Sequence, residues 1–337
     1  MNQGVLEMLF QFNPKLIFVS CDSGKSASKY SWLNTNHQIE SDVFPTLSRE
    51  VTSSESTFTD SNLLTIDKKS FLVGGTGDYN LDNDHSKLGP THELCVITSI
   101  AKVLVEKLNL PYNENEPYDV VLSVNVPLED FKQTEKEKYL ELYEQGKEFD
   151  VKLGDNRISF RLKAVELFFE SQGAILRNQQ LKGKPVLVYD IGGKNDTYIL
   201  YNEDGRPVAG QNDMAYNGLL LMLQHIADDL RRKHKTTFTL QSVEKMVLGT
   251  GNKADGFDES FDRHATEWVK RFKTEVMKLQ QVNTQLTHII FSGGGSLALQ
   301  KYLQKEFSEY KNVYFSNDGK YDNAHGGLIR ALNIHGK

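Results

Sequence analysis

Three hydrophobic runs each break into a short turn of glycine and small polar residues. Residues 16–19 lead into Asp22-Ser23-Gly24-Lys25-Ser26, residues 186–189 into Asp190-Ile191-Gly192-Gly193-Lys194, and residues 288–291 into Ser292-Gly293-Gly294-Gly295-Ser296. A turn lacking Cβ atoms lets main-chain N–H groups come close to an anion, which is how phosphates are cradled without many cationic side chains. Two such turns facing each other, each led by Asp, suit a divalent ion riding on a polyphosphate. The ion keeps most of its waters, and the carboxylates hold those waters. Each turn alone also reads as an ordinary hairpin or strand-to-helix connection. The three together, in this order, are more specific.

The better-known nucleotide loops are absent. No G-x-x-x-x-G-K-[ST] occurs, no G-x-G-x-x-G follows a strand, and Gly249-Thr250-Gly251 lacks a third glycine. The nine His show no H-E-x-x-H spacing, and no G-x-S-x-G elbow is present. Asp213, Asn217 and Gly218 precede the apolar run at Leu219 and could touch a ribose, but a helix cap is the reading preferred. Arg231-Arg232-Lys233-His234-Lys235 is a basic cluster at a predicted helix end, where cations are favoured.

The elements that must carry these turns alternate between strand and helix. The 337 residues, 39% hydrophobic and 25% charged, are ordinary for a globular chain and suggest about two domains. Lys+Arg 39 against Asp+Glu 45 gives a net charge of −6, which argues against direct nucleic-acid binding over the whole surface. Cys21 and Cys95 are too few for a disulfide framework or a zinc site. No apolar run approaches the roughly 20 residues that span a bilayer, so a cytoplasmic protein without a membrane role is expected. The apolar stretch ahead of Asn13-Pro14 reads as a tail packing on its own domain or a neighbour.

Strands are expected at residues 16–19, 71–73, 118–124, 165–167, 186–190 and 288–291. Helices are expected from Pro90, across 129–146, near 170–180, and over 219–233, 261–279 and 323–333. Hairpins turn at Gly154-Asp155-Asn156 and Glu203-Asp204-Gly205. The Ser/Thr-rich stretch 41–62 reads as a surface loop. Both halves open with a strand ending in Asp and a glycine turn, which indicates an internal duplication in an α/β chain. The expected division is a tail (1–14), a first domain (15–183, with an insertion at about 36–90), a second domain (184–320) and a C-terminal helix (321–337) returning to the first.

Two halves with a phosphate turn each, and a glycine turn late in the second, resemble the actin, sugar-kinase and heat-shock-chaperone ATPase superfamily. Asp22-x-Gly24-Lys25-x-x-x-Lys29, Asn125-Val126-Pro127, Phe169-Glu170-Ser171-Gln172-Gly173-Ala174, Asp190-Ile191-Gly192-Gly193 and Ser292-Gly293-Gly294-Gly295 resemble, within it, the ParM-type plasmid-segregation actins. The resemblance spans roughly residues 15–335. It implies an actin-like (ribonuclease H-like) fold, two related α/β domains around a nucleotide cleft. Asp22, Ser23, Gly24 and Lys25 would form the first phosphate loop with Lys29 near the phosphates, and Asp190, Gly192 and Gly193 the second. Asp22 and Asp190 would hold waters on Mg²⁺, and Ser292, Gly293, Gly294 and Gly295 would line the adenosine and α-phosphate side. Asn217 and Gly218 remain candidates toward the ribose. Gly173-Ala174 and Ala324-His325-Gly326-Gly327 would lie at the two interdomain crossings.

Glu170 stands where the family places a catalytic Glu. A carboxylate there can orient or deprotonate the attacking water, whereas a plain helix-start Glu would be favoured only by the macrodipole. One departure is clear. The family's second loop continues with Thr or Ser and then an Asp, but here it reads Lys194-Asn195-Asp196-Thr197. Asn195 or main chain would replace the hydroxyl contacts, and Asp196 could replace the missing carboxylate only if the strand register shifted.

The expected function is a filament-forming ATPase that polymerises with ATP (GTP being the other candidate) and Mg²⁺, leaves ADP after hydrolysis, and reaches plasmid DNA through an adaptor. A sugar or carboxylate kinase of the same superfamily and a membrane-associated actin-like scaffold are the alternatives.

Overall fold

A computed structural model describes residues 16–51, 62–75, 87–127, 133–215, 218–276 and 287–336. The described chain forms two compact units. Unit 1 takes the chain up to Gly173 and again from Asn323, and unit 2 runs from Ala174 to Asp322. The N-terminal tail, residues 52–61 of the Ser/Thr-rich stretch and Asn217 lie outside the described residues.

Unit 1 is built on nine described strands: β1 (Leu16–Ser23), β2 (Ala27–Leu33), β3 (Ile39–Pro45), β4 (Ser48–Glu50), β5 (Leu63–Ile66), β6 (Lys69–Val73), β7 (Tyr118–Val126), β8 (Glu148–Leu153) and β9 (Asn156–Phe169). They form one sheet in the order β3-β2-β1-β7-β9-β8-β5-β6-β4. Helices α1 (Pro90–Lys102) and α2 (Gln133–Leu142) belong to the same unit, and α3 (Gln172–Arg177) follows β9 across the boundary. Unit 2 carries β10 (Val186–Ile191), β11 (Asp196–Tyr201), β12 (Pro207–Ala215), β13 (His288–Ser292) and β14 (Val313–Phe315), in the order β12-β11-β10-β13-β14. Its helices are α4 (Leu219–His234), α5 (Leu240–Val247), α6 (Phe257–Val276), α7 (Gly294–Ala298) and α8 (Gln300–Glu306). Helix α9 (Asp322–His335) starts at the last residue of unit 2.

The duplication is visible in strand order and sense. In unit 1, β1 pairs antiparallel with β2 and parallel with β7, which pairs parallel with β9. In unit 2, β10 pairs antiparallel with β11 and parallel with β13, which pairs parallel with β14. The central strands β1, β7, β10 and β13 are buried along nearly their whole length, which is why they read as continuous apolar runs rather than alternating ones.

Small side chains set the closest approach in unit 1. Ser20 and Ser123 pair in register on β1 and β7. A Cβ on Gly327 of α9 would stand 2.4 Å from the Ser20 hydroxyl and 2.7 Å from that of Ser123. Phe18, Leu33, Val121, Leu328, Ala331 and Leu332 pack together there. In unit 2, α4 and α6 contribute Leu223, Ile226, Trp268 and Phe272 to the core beneath Tyr189 and Phe291.

Four expectations change. Residues 41–50 are not loop: β3 pairs with β2 from Ala27↔Pro45 to Leu33↔Ile39, and an edge strand tolerates the Ser and Asp residues that obscured it. Asn34 closes that hairpin by accepting main-chain N–H bonds from Asn36 and Gln38. The expected strand at 165–167 is the end of β9, which continues from the 154–156 hairpin without a break. Helix α5 was not foreseen; Thr239 caps it, its hydroxyl accepting from the Ser242 N–H at 3.2 Å. Glu170 is not at a helix start either. It lies in the turn after β9, where Ser171 takes a left-handed φ of 74°, and α3 begins only at Gln172.

Candidate functional site

In unit 1 the chemistry gathers at the carboxyl ends of β1, β7 and β9. Asp22, near the end of β1, lies opposite Lys29 in the β1–β2 register. Its Oδ2 is 3.4 Å from Lys29 Nζ, and its Oδ1 accepts from Lys87 Nζ at 2.9 Å. The same Lys87 ammonium is 2.6 Å from Glu170 Oε1. Both Lys87 and Asp22 are almost fully buried, while Glu170 and Lys29 are partly exposed, so the cluster opens at those two side chains. Burial alone would raise the Asp22 carboxyl, but the Lys29 and Lys87 ammoniums outweigh it and hold the group well below the usual carboxylate range. Burial works against the Lys87 charge, yet Asp22 and Glu170 together keep it protonated well above an ordinary lysine.

The surrounding turn is fixed by short bonds. The Gly24 N–H donates to the carbonyls of Asp22 (3.0 Å) and Ala27 (3.1 Å), and a Cβ there would stand 3.0 Å from the Ala27 oxygen and from Lys29 Nζ. The Ser23 hydroxyl is 3.0 Å from both Ser28 Oγ and His92 Nδ1, tying the turn to α1. Lys25 completes the turn between β1 and β2. Asn125, near the end of β7, donates to the carbonyls of Cys21 (3.4 Å) and Asn323 (3.2 Å). Asn323 Oδ1 in turn accepts the Ser171 N–H at 2.9 Å, which pins the residue after Glu170.

In unit 2, Asp190 is the next-to-last residue of β10, and the turn after the strand docks on the start of α4. The N–H groups of Gly218, Leu219 and Leu220 donate to the carbonyls of Lys194 (3.0 Å), Gly192 (3.0 Å) and Gly193 (2.7 Å). A turn whose carbonyls are so engaged can offer a ligand chiefly N–H groups, the polarity an anion needs. Gly218 is required by this docking: a Cβ would lie 2.3 Å from the Gly193 oxygen. Gly192 is equally confined: a Cβ on it would lie 2.4 Å from the Asn195 oxygen that its own N–H meets at 3.1 Å. Asp213 lies in β12, and Gly218 is the residue that precedes α4.

Gly293, after β13, has φ 82° and ψ 167°, and a Cβ on it would stand 2.4 Å from Asp190 Oδ1. A Cβ on Gly295 would lie 2.5 Å from Ile191 Cγ2, whereas one on Gly294 has room. The buried Ser292 hydroxyl donates to Asp322 Oδ2 at 2.7 Å. Asp322 also accepts from Ser316 (2.9 Å) and Arg177 (2.6 Å), a network that fixes the base of this turn.

The register of the unusual segment is not shifted. Asp190 pairs with Thr197, and Ile191 pairs with Asp196. Thr197 therefore shares the Asp190 side of the sheet, and Asp196 points to the other. Asp196 is buried, and its Oδ1 has no hydrogen-bond partner. Burial and the Asp190 charge push its carboxyl well above the usual range, despite Arg271 and a hydrogen bond from the Gly192 main chain. A carboxyl protonated in the folded chain but ionised in the unfolded one contributes stability below the unfolded value near 4, and loses it as pH rises towards the folded value. Asp196→Asn should therefore be more stable than the parent at pH 7 by about 1–3 kcal/mol, with little difference near pH 4. Thermal melts from pH 4 to 8 in EDTA check this; equal pH slopes for the two proteins would count against it.

Lys87 was not foreseen from the sequence. It precedes Leu88-Gly89-Pro90 without any motif, and its partners arrive through the strand order. The Asp322 network was equally invisible. Among the described residues no group of three His, Cys, Asp or Glu side chains is placed to hold a metal, and no helix is long and apolar enough to cross a membrane.

Residues 20–173 match the family model "Actin like proteins N terminal domain". None of the curated proteins compared with the chain matches it. Among solved structures, the archaeal actin homologue Ta0583 is similar, with a TM-score of 0.76 at 15% identity over 94% of this chain and 99% of that one. The Alp12 filament structure gives 0.69 at 20% identity over 95% and 99%. A 15-stranded ParM filament from Clostridium botulinum gives 0.72 at 15% identity over 94% and 99%. At these identities the likeness establishes a shared fold.

Proposed function

We propose that this chain, whose residues 20–173 match the model of the actin-like N-terminal domain and whose fold is that of the archaeal actin homologue, is a nucleotide-dependent, filament-forming ATPase of the actin-like family. It binds ATP (or GTP) with Mg²⁺, assembles with copies of itself in the cytoplasm, and moves plasmid DNA through a separate DNA-binding adaptor. The observation that carries the reading is the pair of equivalent sites, Asp22 near the end of β1 and Asp190 near the end of β10, each beside a glycine turn, with Glu170 in ion-pair contact with the first through Lys87. The similar archaeal homologue has been solved with ADP, and two of the similar structures are filaments.

The residues present fit such a ligand. The Gly218–Gly193 and Gly293–Asp190 approaches leave no space for a Cβ, as a main-chain anion cradle requires. A carboxylate has about four lone-pair sites, so Asp22 can accept from a metal-bound water besides its two lysines. Mg²⁺ would rest on phosphate oxygens and water, with Asp22 and Asp190 accepting from its waters, and would supply charge neutralisation of the phosphates. Ser23, Gly24, Lys25 and Lys29 serve the phosphates from unit 1, and Gly192, Gly193, Asn195 and the Gly293–Gly295 turn serve the nucleotide from unit 2; Asn217 and Gly218 are assigned to the ribose side. Glu170 orients the attacking water and receives its proton.

The reaction is tested by phosphate release from Mg·ATP with water as the only acceptor. Steady release is expected. ADP formation that required an added sugar or carboxylate, with the phosphoryl group passed to that acceptor and no free phosphate released, would favour a kinase instead.

A further inference from the structure

A lysine whose side chain is 4% exposed needs a reason, because an ammonium in a dry site is costly unless it is fully partnered. Lys87 is only partly so. Of its three N–H bonds, one goes to Asp22 Oδ1 at 2.9 Å and one is in reach of Glu170 Oε1 at 2.6 Å. The third finds only the Asn125 carbonyl at 3.5 Å, the outer limit of a hydrogen bond. Its position is nonetheless fixed, because its own main-chain N–H donates to the hydroxyl of the fully buried Tyr139 at 3.1 Å. Lys29, the other cation at the site, is held more loosely at 3.4 Å and is 19% exposed.

We propose that Lys87 is a binding group for the terminal phosphate of the nucleotide, and is therefore the residue by which unit 1 distinguishes a triphosphate from a diphosphate. The inference rests on the nucleotide-binding function proposed above. Asp22, Glu170, Lys29 and Lys87 sum to zero formal charge, so the cluster accommodates an anion without first having to shed an excess of either sign. The ammonium adjoins both the carboxylate assigned to the metal's waters and the one assigned to the attacking water. That is where the terminal phosphoryl group must lie for Glu170 to act, and where negative charge has to be met during transfer. A lysine serves there as a point charge that can turn a donor from carboxylate to phosphate without moving its main chain.

The experiment is equilibrium binding of ATP and ADP with Mg²⁺ to the full chain, measured for the parent, Lys87→Met and Lys87→Met/Glu170→Gln. The double variant removes one charge of each sign and guards against misfolding from unpaired carboxylates. The parent should bind ATP more tightly than ADP. Both variants should keep ADP affinity and lose ATP affinity by about 10–100-fold, the worth of a charge-assisted hydrogen bond. A parent that discriminates, with variants that discriminate equally well, would overturn the role of Lys87 and leave nucleotide binding standing. A folded parent that binds neither nucleotide would remove the functional reading itself, and the Lys87 inference with it.

Discussion

Glu170→Gln should bind nucleotide at the parent affinity or tighter while its steady-state phosphate release falls by about 10²–10⁴-fold, the range a positioned general base contributes. The substitution keeps the size of the side chain and leaves an amide oxygen to accept from Lys87 Nζ, now at 2.6 Å from Glu170 Oε1. It removes the charge that can take a proton from water. Lys87 stays paired with Asp22 at 2.9 Å, and Ser171 stays pinned by Asn323, so the turn has no reason to rearrange. Polymer made with ATP should consequently persist longer than parent polymer. Phosphate release and nucleotide affinity measured on one preparation separate catalysis from binding. Turnover within about threefold of the parent would show that Glu170 is not the base, since the smallest such contribution is about 10²-fold.

Neighbouring glycines in one turn should behave oppositely. Gly293 has φ 82° and ψ 167°, a region that essentially only glycine occupies, at a cost of order 1–3 kcal/mol for other residues. Its added Cβ would also stand 2.4 Å from both Asp190 Oδ1 and the Ile191 oxygen, an overpacking of about 1–3 kcal/mol. Gly293→Ala should therefore cost at least about 2 kcal/mol of stability. Because the intruding methyl displaces Asp190 itself, nucleotide affinity should fall with it. Gly294→Ala, one residue on, meets nothing nearer than Lys320 Cβ at 4.0 Å and should be neutral within about 0.5 kcal/mol. Urea melts and nucleotide titrations of the pair check both statements. Equal behaviour of the two variants would mean that the turn is not held against Asp190 as described.

The contrast between these glycines bears on what could be read beforehand. The three turns were legible because close main-chain approach requires glycine, a demand visible in residue type alone, and β1, β10 and β13 were legible because fully buried strands read as unbroken apolar runs. Which glycine of Gly293, Gly294 and Gly295 is indispensable was not legible, since it depends on how near Asp190 and Ile191 lie across the sheet. Glu170 could be singled out only through resemblance, and its setting was misread. Ser171 in a left-handed conformation ends the strand and delays α3, and a single sequence does not announce such a residue. The Lys194–Thr197 segment left two strand registers open, and pairing of Asp190 with Thr197 decided between them. Lys87 was out of reach altogether. Its significance lies in two partners distant in sequence, and a lysine ahead of Gly89-Pro90 looks like any surface lysine.

The acidic balance of the chain, 39 basic against 45 acidic residues, bears on the cargo as well. With no excess of positive charge to release counterions from DNA, the proposed function assigns attachment to a separate DNA-binding protein.

Assembly is the property on which the whole reading turns, and electron microscopy of the purified protein tests it most directly. With Mg²⁺ and ATP, or with GTP if that is the preferred nucleotide, filaments should form. They should persist with a non-hydrolysable analogue and be absent when nucleotide is omitted. A protein that binds nucleotide tightly yet shows no filaments at tens of micromolar under any of these conditions would contradict the proposal.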